Sequence, residues 1–374
     1  MLRAAAENVA GNWRVYAVAS SGLVLALTLL SSGVAIGEGL REQALDGVRQ
    51  GADVYCTWDT FGRDAAVPRN RIAALEGLDG VVRVVPRIVG RLQLGDRLAV
   101  VVGVPLAQLT QERMPLEGAL PASPAEILVG QELARALGLA PGGRVLLEAA
   151  TSRVFVVSGV LGASSALWSS KAIVCDLDEA ALLFGEAEQV SDVCLYTRPG
   201  YALRVAQAVQ RLDPRFRVQT REFVATYVLR GMAAREGAFT VLAALALALA
   251  IPTFALFTYL GYAPRRREIG LLKAEGWRTA DVLEMVALEN LLVSAIVTGG
   301  ALLLSALWVR PLRAPLVAPF FLPDLPLFPA MRIPARFLPL AAPLALAFSL
   351  VVTMTGSLYA TWRTAATRPV EVLR

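Results

Sequence analysis

The sequence has 374 residues, 56% of them hydrophobic, and a mean hydropathy of +0.55, which is more apolar than a soluble chain. It contains no histidine, so a Ser-His-Asp triad, a Cys-His pair and any histidine metal site are excluded within this chain. The net charge of +5 is carried by arginine, with Lys171 and Lys273 the only lysines; no basic stripe with interleaved aromatics accompanies it, which argues against nucleic-acid binding.

The apolar excess sits in four blocks that lack Asp, Glu, Lys and Arg: Val15–Gly37, and the stretches between Glu236 and Arg265, Glu289 and Arg310, and Arg336 and Arg363. A hydrocarbon core of ~30 Å needs about 20 helical residues, and each block is that long. The expected fold class is therefore an α-helical four-span transmembrane domain, with spans at 15–37, 237–264, 286–309 and 337–362. An α+β extracytoplasmic domain with stalk helices is inserted at 38–236, between spans 1 and 2. The small residues Gly33-Val34-Ala35 would suit signal cleavage, but the first block exceeds a signal h-region and reads as an uncleaved anchor.

Arg3 and Arg14 precede the first span, Arg265, Arg266, Arg267, Lys273 and Arg278 follow the second, and Arg363, Arg368 and Arg374 follow the fourth. The short segment on the other side, the Pro-rich loop 310–336, carries Arg310, Arg313, Arg332 and Arg336. The balance predicts a multi-pass protein of the cell (inner) membrane with both termini cytoplasmic and the large domain outside.

After the first span, Leu40, Ala44 and Val48 recur every four residues, as if the helix continued outward. Phe223 and Tyr227, with Val224 and Val228, repeat that spacing before the second span. Between these stalks, apolar runs predict strands at Ala52–Thr57, Val81–Leu94, Arg97–Val104, Arg144–Leu147, Val154–Leu161, Ala172–Asp176 and Val193–Thr197. Helices are predicted at Arg69–Leu78, Glu132–Leu137, Leu177–Phe184 and Ala202–Leu212, and Pro141-Gly142-Gly143 marks a turn. A division into two lobes is expected near Pro105–Pro124. Cys56, Cys175 and Cys194 read either as three buried thiols or as a Cys175–Cys194 bridge with one thiol left over; without histidine or a CxxC they do not read as a metal site.

The segment 265–285 is the most informative. A basic cluster at the membrane edge leads into an apolar side of Ile269, Leu272, Val282 and Leu283, broken at Gly276. Thr279 or a neighbour is placed to cap the next helix. Such a short amphipathic element fits a groove on a cytoplasmic partner.

The run RRREIGLLKAEGWRTADV resembles the segment after the second span in FtsX/MacB-type (type VII) ABC transporter permeases. The resemblance implies a coupling segment that contacts an ATPase, carried here by Arg266, Arg267, Glu268, Ile269, Gly270, Leu271, Lys273, Ala274, Gly276, Trp277 and Arg278. Trp277 departs from the small residue more usual there. The start AAENVAGNWRVYAVASSGLVLAL is similar to the family's N-terminal amphipathic helix, placed here at 1–14. AEILVGQELARALGLAPGGRVLLEAATSRVFVVSGVL resembles its extracytoplasmic domain of strand, helix, turn and paired strands. ATWRTAATRPVEVLR, at 363–374 and just before, resembles its cytoplasmic tail, with Pro369 and Leu373 in the expected places.

No G-x-x-x-x-G-K-[ST] occurs and no Gly-Lys pair exists, so this chain builds no Walker A loop. It is not expected to be an enzyme and has no catalytic, metal or cofactor-binding residues of its own. The resemblance implies ATP and Mg2+ in two copies of a partner ABC ATPase, a second permease chain as homodimer or related heterodimer, surrounding membrane lipid, and a periplasmic adaptor or lipoprotein. ATP hydrolysis would then drive mechanotransmission to the outer domain, with export, extraction or release of a lipid, lipoprotein, peptide or drug. The alternative is a non-transporting scaffold or sensor that regulates an envelope partner such as a cell-wall hydrolase. The near absence of charge within the spans disfavours a proton-coupled transporter. A Ser-Lys dyad among Ser164, Ser165, Ser169, Ser170 and Lys171 is explained equally well by loop composition.

Overall fold

The computed structural model describes residues 2–109, 116–162, 169–260, 271, 275–315, 317–321 and 333–366. The chain forms two compact units: a helical one, Met1–Gly39, Ala233–Phe321 and Ile333–Arg374, and a mixed one dominated by Leu40–Met232.

The chain opens with α1 (Leu2–Gly11), and Asn12 separates it from α2 (Trp13–Gln50). The first apolar block thus lies inside one helix that runs on through Leu40, Ala44 and Val48, as their spacing predicted. Leu23, Leu27 and Ile36 are fully buried, whereas Val18, Leu25 and Val34 on other faces are exposed.

The mixed unit begins with β1 (Val54–Thr60), β2 (Arg63–Ala65), β3 (Val67–Pro68), a 3-10 turn at Arg69–Arg71 and α3 (Ala73–Glu76). The helix expected over Arg69–Leu78 is therefore broken in two. Strands β4 (Val81–Leu94) and β5 (Arg97–Val104) follow with the predicted bounds. Next come α4 (Leu106–Leu109), β6 (Leu116–Gly118), β7 (Glu126–Gly130), α5 (Gln131–Leu137), β8 (Arg144–Glu148) and β9 (Ser152–Leu161). The unit ends with β10 (Ala172–Asp176), α6 (Leu177–Phe184), β11 (Gln189–Val190), β12 (Asp192–Thr197), α7 (Ala202–Leu212) and β13 (Phe216–Thr220).

The main sheet has the order β13-β1-β12-β4-β5-β10-β7-β9-β6, with β2 on β1 and β8 on β9. Its first four strands are all antiparallel. With the connections β1-α3-β4 and β12-α7-β13, they form a split βαββαβ layer of the ferredoxin-like kind. The second lobe is an insertion into this layer. Within β4, Arg83–Arg87 pair with β12, and Ile88–Leu94 pair with β5. The lobes therefore divide along β4, between Arg87 and Ile88, and the chain returns just before Asp192. The division expected near Pro105–Pro124 is corrected: Pro105 stands between β5 and α4, Pro121 and Pro124 stand between β6 and β7, and Pro115 lies outside the described residues.

Both faces of the sheet are covered at its centre. Ile173 and Cys175 of β10 pack into the larger core with Leu133, Phe155, Ala180 and Leu183, while Val174 packs on the opposite face with Leu128, Leu161 and Cys194. A central strand buried on both sides reads as a continuous apolar run rather than an alternation, which is why Ala172–Asp176 was legible. On β1, Val54, Cys56 and Trp58 alternate inward, and Trp58 meets Phe216 of β13 edge-to-face at 5.0 Å.

All three cysteines are buried and free, so the bridge alternative is corrected. Cys175 and Cys194 belong to opposite faces of the sheet and cannot meet. Burial pushes the Cys56 and Cys175 thiols up to about 12 and raises Cys194 as well. They are expected to resist maleimide at pH 8 and to react fully in denaturant. Because the folded-state values lie above the unfolded one, their stabilising contribution is complete below about pH 9 and declines as pH rises towards about 12. A pH titration of the thermal midpoint checks the sign; prompt labelling of the folded protein would contradict the packing.

After β13 the chain enters α8 (Arg221–Leu260), then α9 (Thr279–Val309), the short α10 (Ala318–Phe321) and α11 (Ala341–Ala366). Pro252 lies inside α8 and removes one backbone donor. The neighbouring Thr253 hydroxyl donates to the Leu249 carbonyl at 2.7 Å. Among the described residues, α2 and α9 are long and apolar enough to cross a membrane. Helices α8 and α11 carry shorter apolar stretches at Phe239–Phe254 and Ala341–Thr355.

Candidate functional site

The segment expected to meet a partner lies between α8 and α9. Arg266, Arg267, Glu268, Ile269, Gly270, Lys273 and Ala274 lie outside the described residues. Leu271 is 56% exposed, and its carbonyl accepts from the Glu275 N–H at 2.9 Å. Gly276 follows with φ of 97°. This positive φ disfavours any side chain. Nothing lies within 4 Å of where a Cβ would sit, so the demand at Gly276 is conformational and not steric.

Trp277 is half-buried and Arg278 exposed. Arg278 is the extended residue at the N-cap of α9, with φ −73° and ψ 154°. The Asp281 carboxylate accepts the Arg278 N–H at 2.9 Å. A guanidinium has no acceptor, so the reciprocal half of a capping box is absent at this end. Of the expectation that Thr279 or a neighbour caps the helix, it is the neighbour that holds: Arg278 is the N-cap and Thr279 the first helical residue. Asp281 closes the terminus, where a negative charge also complements the helix dipole.

Three turns into α9 stands a group that the sequence reading treated as a mere flank. Glu289 is fully buried. Its Oε1 accepts from Asn8 Nδ2 of α1 at 2.6 Å and its Oε2 from the Tyr16 hydroxyl of α2 at 3.1 Å. Asn12 Nδ2 in turn donates to Asn8 Oδ1 at 2.9 Å. The charge-free third block was counted from the residue after Glu289, which hid an acid lying well inside a helix that begins at Thr279. The legible signal was the polar spacing beyond it.

That spacing is Asn290, Ser294 and Thr298 on α9, set against Ser357, Thr353 and Ser349 on α11. All six are buried. Asn290 donates to Ser357, and Ser294 and Thr353 are bonded at 2.9 Å. At the next rung the hydroxyls of Thr298 and Ser349 have no hydrogen-bond partner among the described residues. Another edge of α9 meets α2: Ser305 and Ser32 are bonded at 2.9 Å, and Thr28 reaches the Ala301 carbonyl at 3.4 Å. Such bonds average about 0.6 kcal/mol between membrane helices, so they set register more than they stabilise. Small and hydroxylated residues on one face also let the helices approach closely.

In the mixed unit a bidentate charge pair sits where the second lobe departs. Arg87 on β4 and Asp192 on β12 are register partners, joined by two parallel bonds of 2.8 and 2.7 Å. Burial opposes the Arg87 charge, but the Asp192 bond outweighs it and holds the guanidinium firmly protonated. Tyr55, under the same guanidinium, has its phenol raised chiefly by burial. Ser169 and Ser170 are buried beside Lys171, while Ser164 and Ser165 lie outside the described residues. Among the described residues no three of Cys, Asp and Glu come together to hold a metal ion.

Comparison with known proteins adds the following. The MacB-like periplasmic core domain family matches residues 16–213, more than half of the chain, and the FtsX-like permease C-terminal family matches residues 240–369. The crystal structure of the periplasmic region of MacB from Actinobacillus actinomycetemcomitans is similar at 14% identity and a TM-score of 0.37, covering 50% of this chain and 97% of that one. The extracellular domain of the noncanonic ABC-type transporter YknZ from Gram-positive bacteria is similar at 14% identity and a TM-score of 0.35, covering 45% and 99%. No curated protein matches the chain.

Proposed function

The chain belongs to the FtsX/MacB family of ABC transporter permeases, and on that premise we propose that it is the membrane subunit of a mechanotransmission machine driven by a separate ATPase. The family is an inner-membrane permease with a periplasmic domain, and the permease component is not itself the ATPase. It operates with an ABC ATPase partner.

The observation that carries the reading is the order of parts on one chain: a MacB-like core at 16–213 followed by an FtsX-like permease end at 240–369. The four charge-free blocks support four spans with both termini in the cytoplasm. Helices α2 and α8 each continue beyond their apolar stretch towards the mixed unit, as stalks must. Residues Arg266–Arg278 form the coupling segment, with Glu268 and Gly270 central to it. Two ATPase copies, holding ATP and Mg2+, engage two permease chains. Closure of the ATPases displaces the segment, α8 passes the movement outward, and the external domain extracts or releases a substrate there, with an adaptor or lipoprotein as its neighbour.

The test is co-purification of the full chain with its ATPase, followed by stimulated ATP hydrolysis in liposomes. Glu268→Ala and Gly270→Val are each expected to reduce stimulation about tenfold while membrane insertion stays unchanged. Wild-type stimulation in both variants would remove the coupling segment from 265–285. Stimulation without release of any lipid, lipoprotein, peptide or drug would favour the scaffold reading over transport.

A further inference from the structure

The carboxylate of Glu289 joins three helices. Its two oxygens accept from side chains on different helices: Asn8 in the last turn of α1 and Tyr16 in the first turn of α2. Asn12, at the break between those helices, steadies Asn8 through both its side-chain oxygen at 2.9 Å and its carbonyl at 3.2 Å. The network therefore spans the α1–α2 junction and ties it to α9. A buried carboxylate carries a desolvation cost that an apolar residue of similar size would not, so the gain at this position lies in directed bonds and not in packing.

The position along α9 gives those bonds a mechanical meaning. Glu289 lies ten residues beyond Thr279, about 15 Å along the helix axis, and Thr279 directly follows Gly276, Trp277 and Arg278. On the other side of the network, α2 runs unbroken from Trp13 to Gln50, about 57 Å at 1.5 Å per residue. Ser32–Ser305 and Thr28–Ala301 bond the same two helices farther along, so α2 and α9 are joined at more than one level.

We propose that Glu289 is a positioning residue for coupling: by holding Asn8 and Tyr16 it makes the α1–α2 junction move with α9, giving displacement of the segment before Thr279 a route into α2 that is separate from α8. The proposal rests on the reading of 265–285 as the coupling segment, and the experiment separates the two.

The full chain is reconstituted in liposomes with its co-purified ATPase, and co-purification, the KM for ATP and the maximal stimulated rate are measured. Glu289→Leu is expected to leave co-purification and KM at wild-type values and to lower the maximal rate about tenfold. Glu289→Gln keeps an acceptor oxygen and is expected to retain about half the rate or more. Asn8→Asp sets a second carboxylate against Glu289 and is expected to fall as Glu289→Leu does. Combining Asn8→Asp with Glu289→Gln reverses donor and acceptor and is expected to recover the rate. A wild-type rate in Glu289→Leu, or no recovery in the reversed pair, overturns the proposal. A parallel loss of co-purification also overturns it, because Glu289 would then serve folding or binding. If Glu289→Leu does not fold, the comparison of Asn8→Asp with the reversed pair decides. A wild-type chain that neither binds nor stimulates an ATPase overturns the functional reading instead.

Discussion

Gly130→Ala is expected to destabilise the mixed domain by about 3 kcal/mol, at the upper end of overpacking costs. Gly130 ends β7 and precedes α5 with φ −64° and ψ 142°, a conformation open to any residue, so backbone freedom is not the issue. The issue is space. A Cβ at this position would lie 2.0 Å from the Ser169 carbonyl oxygen and 2.6 Å from the Ser170 carbonyl carbon and oxygen. These are main-chain atoms and have no rotamer to change. They are also held in place, because the Leu133 N–H donates to the Ser170 carbonyl at 3.1 Å and β10 is laddered to both β5 and β7 directly afterwards. To admit one methyl group, either β10 leaves its register or α5 leaves the end of β7. Thermal unfolding of the full chain in detergent, followed by the circular dichroism of its sheet, is expected to show a midpoint lower by about 10 °C. A midpoint within about 2 °C of wild type would show that the junction relaxes and that the close approach is not needed.

Asp192→Ala is expected to cost about 2–3 kcal/mol, more than its lost contacts suggest, because it leaves a largely buried guanidinium without its carboxylate. Arg87 and Asp192 are 29% and 19% exposed as side chains, so water recovers part of the penalty and the figure lies below that of a fully buried pair. The guanidinium does not escape by losing its proton, since arginine stays charged in proteins. Arg87→Met leaves the converse problem, a carboxylate beside the Cys194 thiol. The double variant Arg87→Met with Asp192→Leu removes both charges and is expected to cost less than either single change, by about 1 kcal/mol or more. A double-mutant cycle in urea measures this. Additive losses would mean that the two residues act independently and that the pair does not seal the point where the second lobe leaves the first.

Much of the fold was readable in advance for a simple reason. Strands β4, β5 and β10 and helices α6 and α7 came out with the predicted bounds because burial on one or both faces writes itself into apolar spacing. Periodicity did not locate β7 or β13, two five-residue strands flanked by helix starts, where a short apolar run has no length to arbitrate between strand and helix. A strand ahead of α5 was implied only by the family resemblance. The lobe division was misplaced because proline marks irregular chain, whereas the true division is a change of partner along one continuous strand at Arg87 and Ile88. No composition shift accompanies a change of partner.

The candidate site divides in the same way. The Arg267–Gly276 motif was legible because it is local, and its role remains a proposal tied to that motif. Glu289 was overlooked because its partners, Asn8 and Tyr16, lie more than 270 positions away in sequence. Alone, a glutamate at the head of an apolar block reads as the last charge before the membrane.

What the sequence determined by itself is whatever depends on neighbours along the chain: four apolar blocks of membrane-spanning length, most strands and helices, the absence of a Walker A loop, and a family-type segment after the second block. What only the tertiary structure decided depends on neighbours in space. The split βαββαβ layer with a lobe inserted through β4, the free state of three cysteines divided between two faces, and the anchoring of α1 and α2 on Glu289 all arise from pairings between distant segments. Hydrogen bonds and packing have a reach of a few ångströms, and sequence separation carries no record of which distant groups will come within it.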